Sequence, residues 1–161
     1  MVSLRESPVD APEAHELLAE YFQSRELGFA RQDVVYTTTF PAPATFTPPA
    51  GVFLLVEDDD GASQGCGGIR RIADGPRGIR YEVKHLYLRP ATRGRGWGRL
   101  LLDGLEARAR GWDAGELVLD THHSLEAAAG LYASSGFLSV ERFNDNPNAT
   151  RWYGKQLVPA P

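Results

Sequence analysis

The chain has 161 residues, a length that holds one well-buried core and is short for two ordinary domains. Its composition, 42% hydrophobic and 24% charged, is typical of a folded globular protein and excludes general disorder. The formal net charge of -4 gives no global attraction to nucleic acid. We therefore expect a single domain over residues 1–161 and no nucleic-acid partner.

The N-terminal residues and the cysteine content bear on location. The first residues lack the apolar core of a signal peptide, and no apolar run reaches the length of a bilayer span. Cys66 is the only cysteine, so an intramolecular disulfide is impossible. These features predict a cytoplasmic protein with no membrane partner.

The first half of the chain reads as a strand, a helix and a run of strands. Weak alternation over residues 2–6 predicts a short strand, and apolar residues at helical spacing predict a helix over about residues 12–25. The proline-rich segment 39–49 predicts an irregular loop. Alternating apolar residues separated by Asp and Gly turns then predict three antiparallel strands, at 52–57, 66–73 and 80–88.

In the second half, helices alternate with strands. The pattern predicts a helix over 96–110, a strand at 116–120, a helix over 124–134 and strands at 137–143 and 152–157. Strands first and β-α-β units afterwards predict an α/β (α+β mixed) fold. Its sheet should be mixed, mostly antiparallel and of six to seven strands, with helices on both faces.

A glycine turn joins the strand ending at Leu88 to the helix that follows. Its sequence, RGRGWGR at residues 93–99, combines backbone freedom with the exposed amides and dipole of a helix N-terminus, a combination typical of anion sites. No Lys-Ser or Lys-Thr pair follows, and the glycine spacing is not GxGxxG, which disfavours ATP and NAD. Read alone, the turn fits either a pyrophosphate site or a solvated loop before a helix.

The order of motifs around this turn resembles the GNAT superfamily of N-acetyltransferases. The strand EVKHLYLRP at 82–90 precedes the turn, and LY at 131–132 and GF at 136–137 follow in another β-α unit, so the resemblance covers about residues 51–157. It implies acetyl-CoA bound where two neighbouring strands splay apart. The pyrophosphate would lie on Arg93, Gly94, Arg95, Gly96, Trp97, Gly98 and Arg99. The pantetheine arm would pair with the backbone of Leu86, Tyr87 and Leu88, and the Leu86 amide would polarise the thioester carbonyl.

The resemblance also supplies two candidate catalytic residues. Tyr132 stands where the family often has a tyrosine near the CoA sulfur, and a phenol can protonate a departing thiolate. The alternative is an aromatic residue that only packs against Leu125 and Leu131. Glu82 stands where some members have a base for the acceptor amine, and its alternative is a structural carboxylate paired with a cation such as Lys84.

Three of the histidines and the single cysteine are further residues able to act as acids, bases, ligands or nucleophiles. Strict strand alternation puts His85 on the sheet face opposite Glu82, which disfavours a pair. His122 and His123 read as loop residues, and without a carboxylate or cysteine cluster at zinc spacing we expect no metal. Cys66 is expected in the core, not as a nucleophile.

We expect the residues that recognise the acceptor in the first helix, the proline-rich segment 39–49 and the segment 143–147. The resemblance implies a primary amine of a small molecule or peptide, and a homodimer is possible because many members dimerise. The aromatic residues Tyr36, Phe40, Phe46 and Trp152 either line the acceptor pocket or pack in the core. Leu125 replaces an asparagine frequent in the family, with Ser124 as a substitute ligand or a helix cap. This departure keeps open an inactive acyl-CoA-binding regulatory module, and nucleotide binding is a further alternative.

Overall fold

The computed structural model describes residues 1–30, 39–123 and 125–157. They form three helices and seven strands, with short 3-10 helices at Pro43–Phe46 and Pro90–Thr92. In chain order these are β1 (Ser3–Glu6), α1 (Pro12–Ala30), β2 (Gly51–Glu57), β3 (Ser63–Gly75), β4 (Gly78–Leu88), α2 (Trp97–Gly111), β5 (Glu116–Thr121), α3 (Glu126–Ser134), β6 (Leu138–Ser139) and β7 (Arg151–Gln156). Within these ranges no helix has the length and apolarity of a membrane span.

All seven strands belong to one sheet, in the order β1-β2-β3-β4-β5-β7-β6. The β4–β5 pair is parallel and every other pair is antiparallel. The parallel pair arises because α2 carries the chain from one end of β4 back to the start of β5, the crossover that a β-α-β unit requires. The predicted fold class, a mixed and mostly antiparallel sheet, is therefore confirmed.

Each face of the sheet is covered by a separate apolar core. In β2 the alternate residues Val52, Leu54 and Val56 pack in a cluster with α2 and with Tyr132 of α3. The residues between them, Phe53 and Leu55, pack in a second cluster with α1. The strand is buried on both faces, which is why it reads as a continuous apolar run. Helices on both faces were predicted and are confirmed.

Two element boundaries differ from the sequence prediction. The first helix runs to Ala30 instead of stopping near Arg25, because Glu26 and Leu27 are good helix formers and outweigh the unfavourable Gly28 that follows them. The late strand predicted over 137–143 is only Leu138–Ser139. There Arg142 donates to the Asn144 carbonyl (2.8 Å) and to Asp145 (2.8 Å), local contacts that replace further pairing with β7.

The parallel strands β4 and β5 separate after three residue pairs. Their register ends at Glu82 opposite Val118, although β4 continues to Leu88 and β5 to Thr121. Beyond that point, in the part of the chain that the structure describes, no strand pairs with the β5-facing edge of β4. The sheet therefore opens in a V whose two arms are residues 83–88 and 119–121.

Candidate active site

A cavity of 670 Å³ occupies the open end of the V, and we call it the donor cavity. Its walls include the last residues of β4, the glycine turn, the start of α2 and one side of α3. Nine of the ten residues predicted for the cofactor line it: Leu86, Tyr87, Leu88, Arg93, Gly94, Gly96, Trp97, Gly98 and Arg99. Arg95 does not, and its guanidinium lies 5.4 Å from the Trp97 ring centroid.

The glycine turn presents an open backbone to the donor cavity. Gly94 and Gly96 have φ of 81° and 80°, a left-handed conformation that other residues rarely adopt. A Cβ at either position would meet nothing within 4 Å, so the space beside the turn is empty. Gly96 is the N-cap of α2 and provides no side-chain cap, which leaves the first amides of the helix available to a ligand.

The arginines of this segment have different environments. Arg93 donates through Nε to the Leu88 carbonyl (3.1 Å), and Arg99 forms a looser contact of 3.6 Å with Asp103. Both line the cavity and keep further guanidinium donors. Arg89, which contributes to the basic character of the sequence, is instead bound to Glu20 of α1 at 2.7 Å. An anion in the donor cavity would therefore meet Arg93 and Arg99, not Arg89.

A second cavity, of 570 Å³, lies on the α1 side of the V, and we call it the acceptor cavity. It includes Phe40, Phe46, Arg70, Lys84 and Asp120 in its walls. The two cavities share five lining residues: Tyr21, Arg25, Leu86, Thr121 and Tyr132. A ligand in one cavity can therefore meet a ligand in the other at this junction.

Tyr132 lies at the junction and is 7% exposed. Its ring centroid is 6.0 Å from that of Phe137 and 6.2 Å from that of Tyr153, so the ring also belongs to the core. Burial, followed by a smaller contribution from Tyr21, raises the pKa of the Tyr132 phenol. The hydroxyl is therefore protonated at neutral pH and able to donate.

Glu82 lies behind the acceptor cavity and is 1% exposed. Its Oε1 accepts from Arg70 Nε at 2.9 Å, and its Oε2 accepts from Asn144 Nδ2 at 3.1 Å. Lys84 Nζ is a further 3.6 Å from Oε2. Among the described residues, Arg70, Lys84 and Asn144 line the cavity and Glu82 does not. These partners therefore stand between the carboxylate and the cavity.

Asp120 and Asn144 extend this network, and the sequence did not identify them. Asn144 Nδ2 lies 2.6 Å from Asp120 Oδ2 in addition to its contact with Glu82, and Lys84 Nζ is 3.5 Å from Asp120 Oδ1. Asn144 is in turn held by Trp152 Nε1, 2.9 Å from its Oδ1. Asp120 stands at the end of the strand beside the V, and Asn144 falls in the segment 143–147, where the sequence placed acceptor recognition without a role for any single side chain.

The prediction for His85 was wrong. The register of β4 against β3 shifts between the pairs Gly68–Lys84 and Cys66–Tyr87, and His85 has φ of 59°. This bulge turns the His85 ring toward α1, where its centroid is 5.6 Å from Phe22 and 5.8 Å from Phe46. Burial lowers the pKa of His85 to about 3, with Lys84 a secondary cause, so the ring is neutral.

The remaining candidates fall outside the junction. Cys66 is fully buried, and burial raises the pKa of its thiol, as expected for a core cysteine. His122 and His123 stack at 4.2 Å, and over residues 1–30, 39–123 and 125–157 no group of three or more His, Cys, Asp or Glu is placed to hold a metal. Phe40 and Phe46 do line the acceptor cavity, whereas Trp152 supports Asn144. The candidates Tyr36 and Ser124 lie outside the described residues.

Known proteins resemble this chain in sequence or in fold. An uncharacterised N-acetyltransferase of Schizosaccharomyces pombe is 31% identical over 146 residues, covering 91% of this chain and 87% of its own. A GNAT-family acetyltransferase of Staphylococcus aureus has the same fold, with a TM-score of 0.78, 17% identity and coverage of 98% of this chain and 100% of its own.

A third similar structure, a GNAT-family acetyltransferase from Elizabethkingia anophelis, contains bound acetyl-CoA. Its TM-score is 0.65 at 16% identity, with 96% of this chain and 97% of that chain covered. The family model described as the acetyltransferase (GNAT) family matches residues 11–137, from α1 to the residue before β6. The chain therefore belongs to the GNAT family of acetyltransferases and is an acyltransferase.

Proposed function

We propose that the protein transfers an acetyl group from acetyl-CoA to a primary amine of a small molecule or peptide by direct attack. One observation carries this proposal: the donor and acceptor cavities meet at Leu86 and Tyr132. Two substrates bound side by side at that point need no covalent enzyme intermediate, and the buried Cys66 is unsuited to forming one.

The donor cavity fits acetyl-CoA. The amides at the start of α2, together with Arg93 and Arg99, would bind the pyrophosphate, since a helix N-terminus and guanidinium groups favour phosphate oxygens. The edge of β4 over residues 86–88 lacks a strand partner in the described chain, and the pantetheine amides would pair there like an added strand. The acetyl-CoA bound to the related Elizabethkingia anophelis structure supports this donor.

Polarisation of the thioester carbonyl is assigned to the Leu86 amide. Leu86 follows the bulge at His85, which changes the direction of the backbone at the junction of the cavities. A fixed amide in a site shielded from water stabilises the negative charge that develops on the carbonyl oxygen.

Tyr132 is the proposed general acid. Its phenol lines both cavities and stays protonated because burial raises its pKa. It would donate its proton to the departing thiolate as the amine attacks.

Glu82 is the proposed base, acting through a bridging water. Its carboxylate is buried behind Arg70 and Lys84, both of which line the acceptor cavity. The water would take the proton from the attacking amine and pass one of its own to Glu82.

The test is a screen for acetyl-CoA turnover over amino acids, polyamines, aminoglycosides and peptide N-termini. We expect CoA release coupled to an acetylated amine, measured with a thiol reagent and by mass spectrometry. Tight acetyl-CoA binding without transfer to any of these amines would contradict the proposal and favour an acyl-CoA-binding regulatory module instead.

A further inference from the structure

The acceptor cavity has a charged side whose exposed groups are all of one sign. Four ionised residues form the network described above, Arg70 and Lys84 with Glu82 and Asp120. The side chains of the two cations are 40% and 19% exposed, whereas those of the two carboxylates are 1% and 6% exposed. A ligand entering the cavity therefore meets the cations first.

The hydrogen-bonding capacity of the network points the same way. Each carboxylate oxygen already has a donor or a cation beside it: Arg70 at Glu82 Oε1, Asn144 at Glu82 Oε2 and Asp120 Oδ2, and Lys84 at Asp120 Oδ1. Arg70 has five N–H donors, of which those on Nε and Nη2 reach Glu82. The lysine contacts are long, at 3.5 and 3.6 Å. Arg70 and Lys84 therefore have spare N–H donors for an anionic ligand group. A cationic ligand group could bind the carboxylates only if they gave up their present partners.

Another part of the cavity wall is aromatic. Phe40 lines it with 44% of its surface exposed, and the Phe40 ring packs 5.0 Å from Phe22. Phe46 completes this wall, and the neutral His85 ring adds no charge to it. An exposed aromatic surface inside a cavity favours an apolar or aromatic body.

We infer that the acceptor is an amine carrying a carboxylate beside an apolar or aromatic body, the carboxylate binding Arg70 and Lys84 while the amine reaches Leu86 and Tyr132. This inference rests on the proposed function and narrows its substrate class. Polyamines and aminoglycosides, which are cationic throughout, are poor acceptors on this basis.

The spacing between carboxylate and amine is the variable that the experiment should span. Arg70 lies opposite Glu82, and Leu86 is four residues further along β4, which is roughly 13 Å of strand before the bulge and the reach of the arginine are considered. L-phenylalanine and L-phenylalanyl-L-alanine keep the same amine and ring but differ in this spacing by one residue. Each has a carboxamide counterpart of nearly the same shape without the charge.

The experiment compares kcat/KM for each acid with its carboxamide, at equal concentrations of neutral amine. We expect the acid to be preferred in at least one pair by on the order of 10-fold to 100-fold, the range of a charge-assisted hydrogen bond. Ratios near or below one in both pairs would overturn the inference and leave the proposed function standing. If no amine of any class is acetylated, the proposed function fails and the inference with it.

A variant pair separates recognition from structure. In Arg70→Gln the acid-to-amide ratio should fall toward one. Arg70 also pairs with Glu82, so the rates with both substrates fall together if the base is disturbed, and the ratio alone reports recognition of the carboxylate. The control Arg71→Gln removes the adjacent arginine, which is 48% exposed and pairs with Asp74. It should keep the ratio of the unmodified protein. An unchanged ratio in Arg70→Gln would overturn the assignment of the carboxylate to this residue.

Discussion

The donor and acceptor cavities are built differently. Half of the residues that line the donor cavity come from one stretch of chain, residues 86–99, and the others come from α1, β5 and the segment 125–132. The acceptor cavity takes smaller contributions from α1, the 39–46 segment, β3, β4, β5, α3 and the 144–148 segment. A site built largely from one stretch depends mainly on the sequence of that stretch, whereas a site assembled from seven segments alters when any of them does. The two constructions suit a constant donor and a specific acceptor.

Substitution of Tyr132, which belongs to both cavities, should have the largest effect. In Tyr132→Phe we expect kcat to fall by about 100-fold to 10,000-fold, the range for loss of a general acid. The core contacts with Phe137 and Tyr153 remain, so the fold and acetyl-CoA binding should be retained. Single-turnover kinetics and calorimetric titration with CoA measure the two properties. Unchanged turnover would contradict the acid role.

Glu82→Gln tests the acceptor side alone. We expect kcat to fall by about 100-fold while the KM for acetyl-CoA stays constant. Raising the pH deprotonates the amine in solution and should restore much of the rate, which a purely structural defect would not allow. The matched control is Glu57→Gln. Glu57 pairs with Arg5 across β1 and β2, away from both cavities, so this change should leave kcat unaltered. A rate that stays low at all pH values would argue against a base.

Gly96→Val tests the donor side alone. A β-branched residue at φ of 80° costs about 1–2 kcal/mol of stability and disturbs the amides that face the cavity. We expect the KM for acetyl-CoA to rise by about 10-fold or more. The control is Gly61→Val, because Gly61 has φ of 78°, equally empty surroundings and a place in the β2–β3 turn. Urea unfolding should show a similar loss of stability in both variants, while only Gly96→Val raises the KM for acetyl-CoA. A similar rise in this KM in both variants would refute the anion site.

Glu20→Gln touches neither reaction partner and should have the smallest effect. Its carboxylate accepts from Arg89, and this contact lowers the pKa of Glu20. A lowered folded-state pKa stabilises the fold above the unfolded value of about 4.3, and this stabilisation is lost as the pH falls through the folded value. We expect Glu20→Gln to lower the free energy of unfolding by about 0.5–1 kcal/mol at pH 7, a figure already reduced for solvent exposure. In acid the two proteins should be equally stable. Urea unfolding at both pH values checks this, with the exposed Glu141→Gln as control.

Local spacing along the sequence groups residues on the donor side, whereas the acceptor side depends on contacts between distant segments. Nine of the ten residues predicted for the cofactor line one cavity because their positions depend on a strand, a turn and a helix start that follow one another; their binding role stays a prediction. The network of Arg70, Asp120 and Asn144 depends on which strands lie side by side, and no spacing along the chain reports that. The His85 bulge was missed for a related reason: alternation assumes a regular ladder, and one left-handed residue reverses it.

The early separation of β4 and β5 also bears on the mechanics of the sheet. Three residue pairs, from Arg80–Glu116 to Glu82–Val118, and the bond from the Gly115 amide to the Ile79 carbonyl join a four-stranded half to a three-stranded half. We expect so short a ladder to resist rotation of one half against the other less than a longer ladder would. A donor that pairs with one arm of the V and contacts the other would link the two halves, so that donor binding also stiffens the sheet.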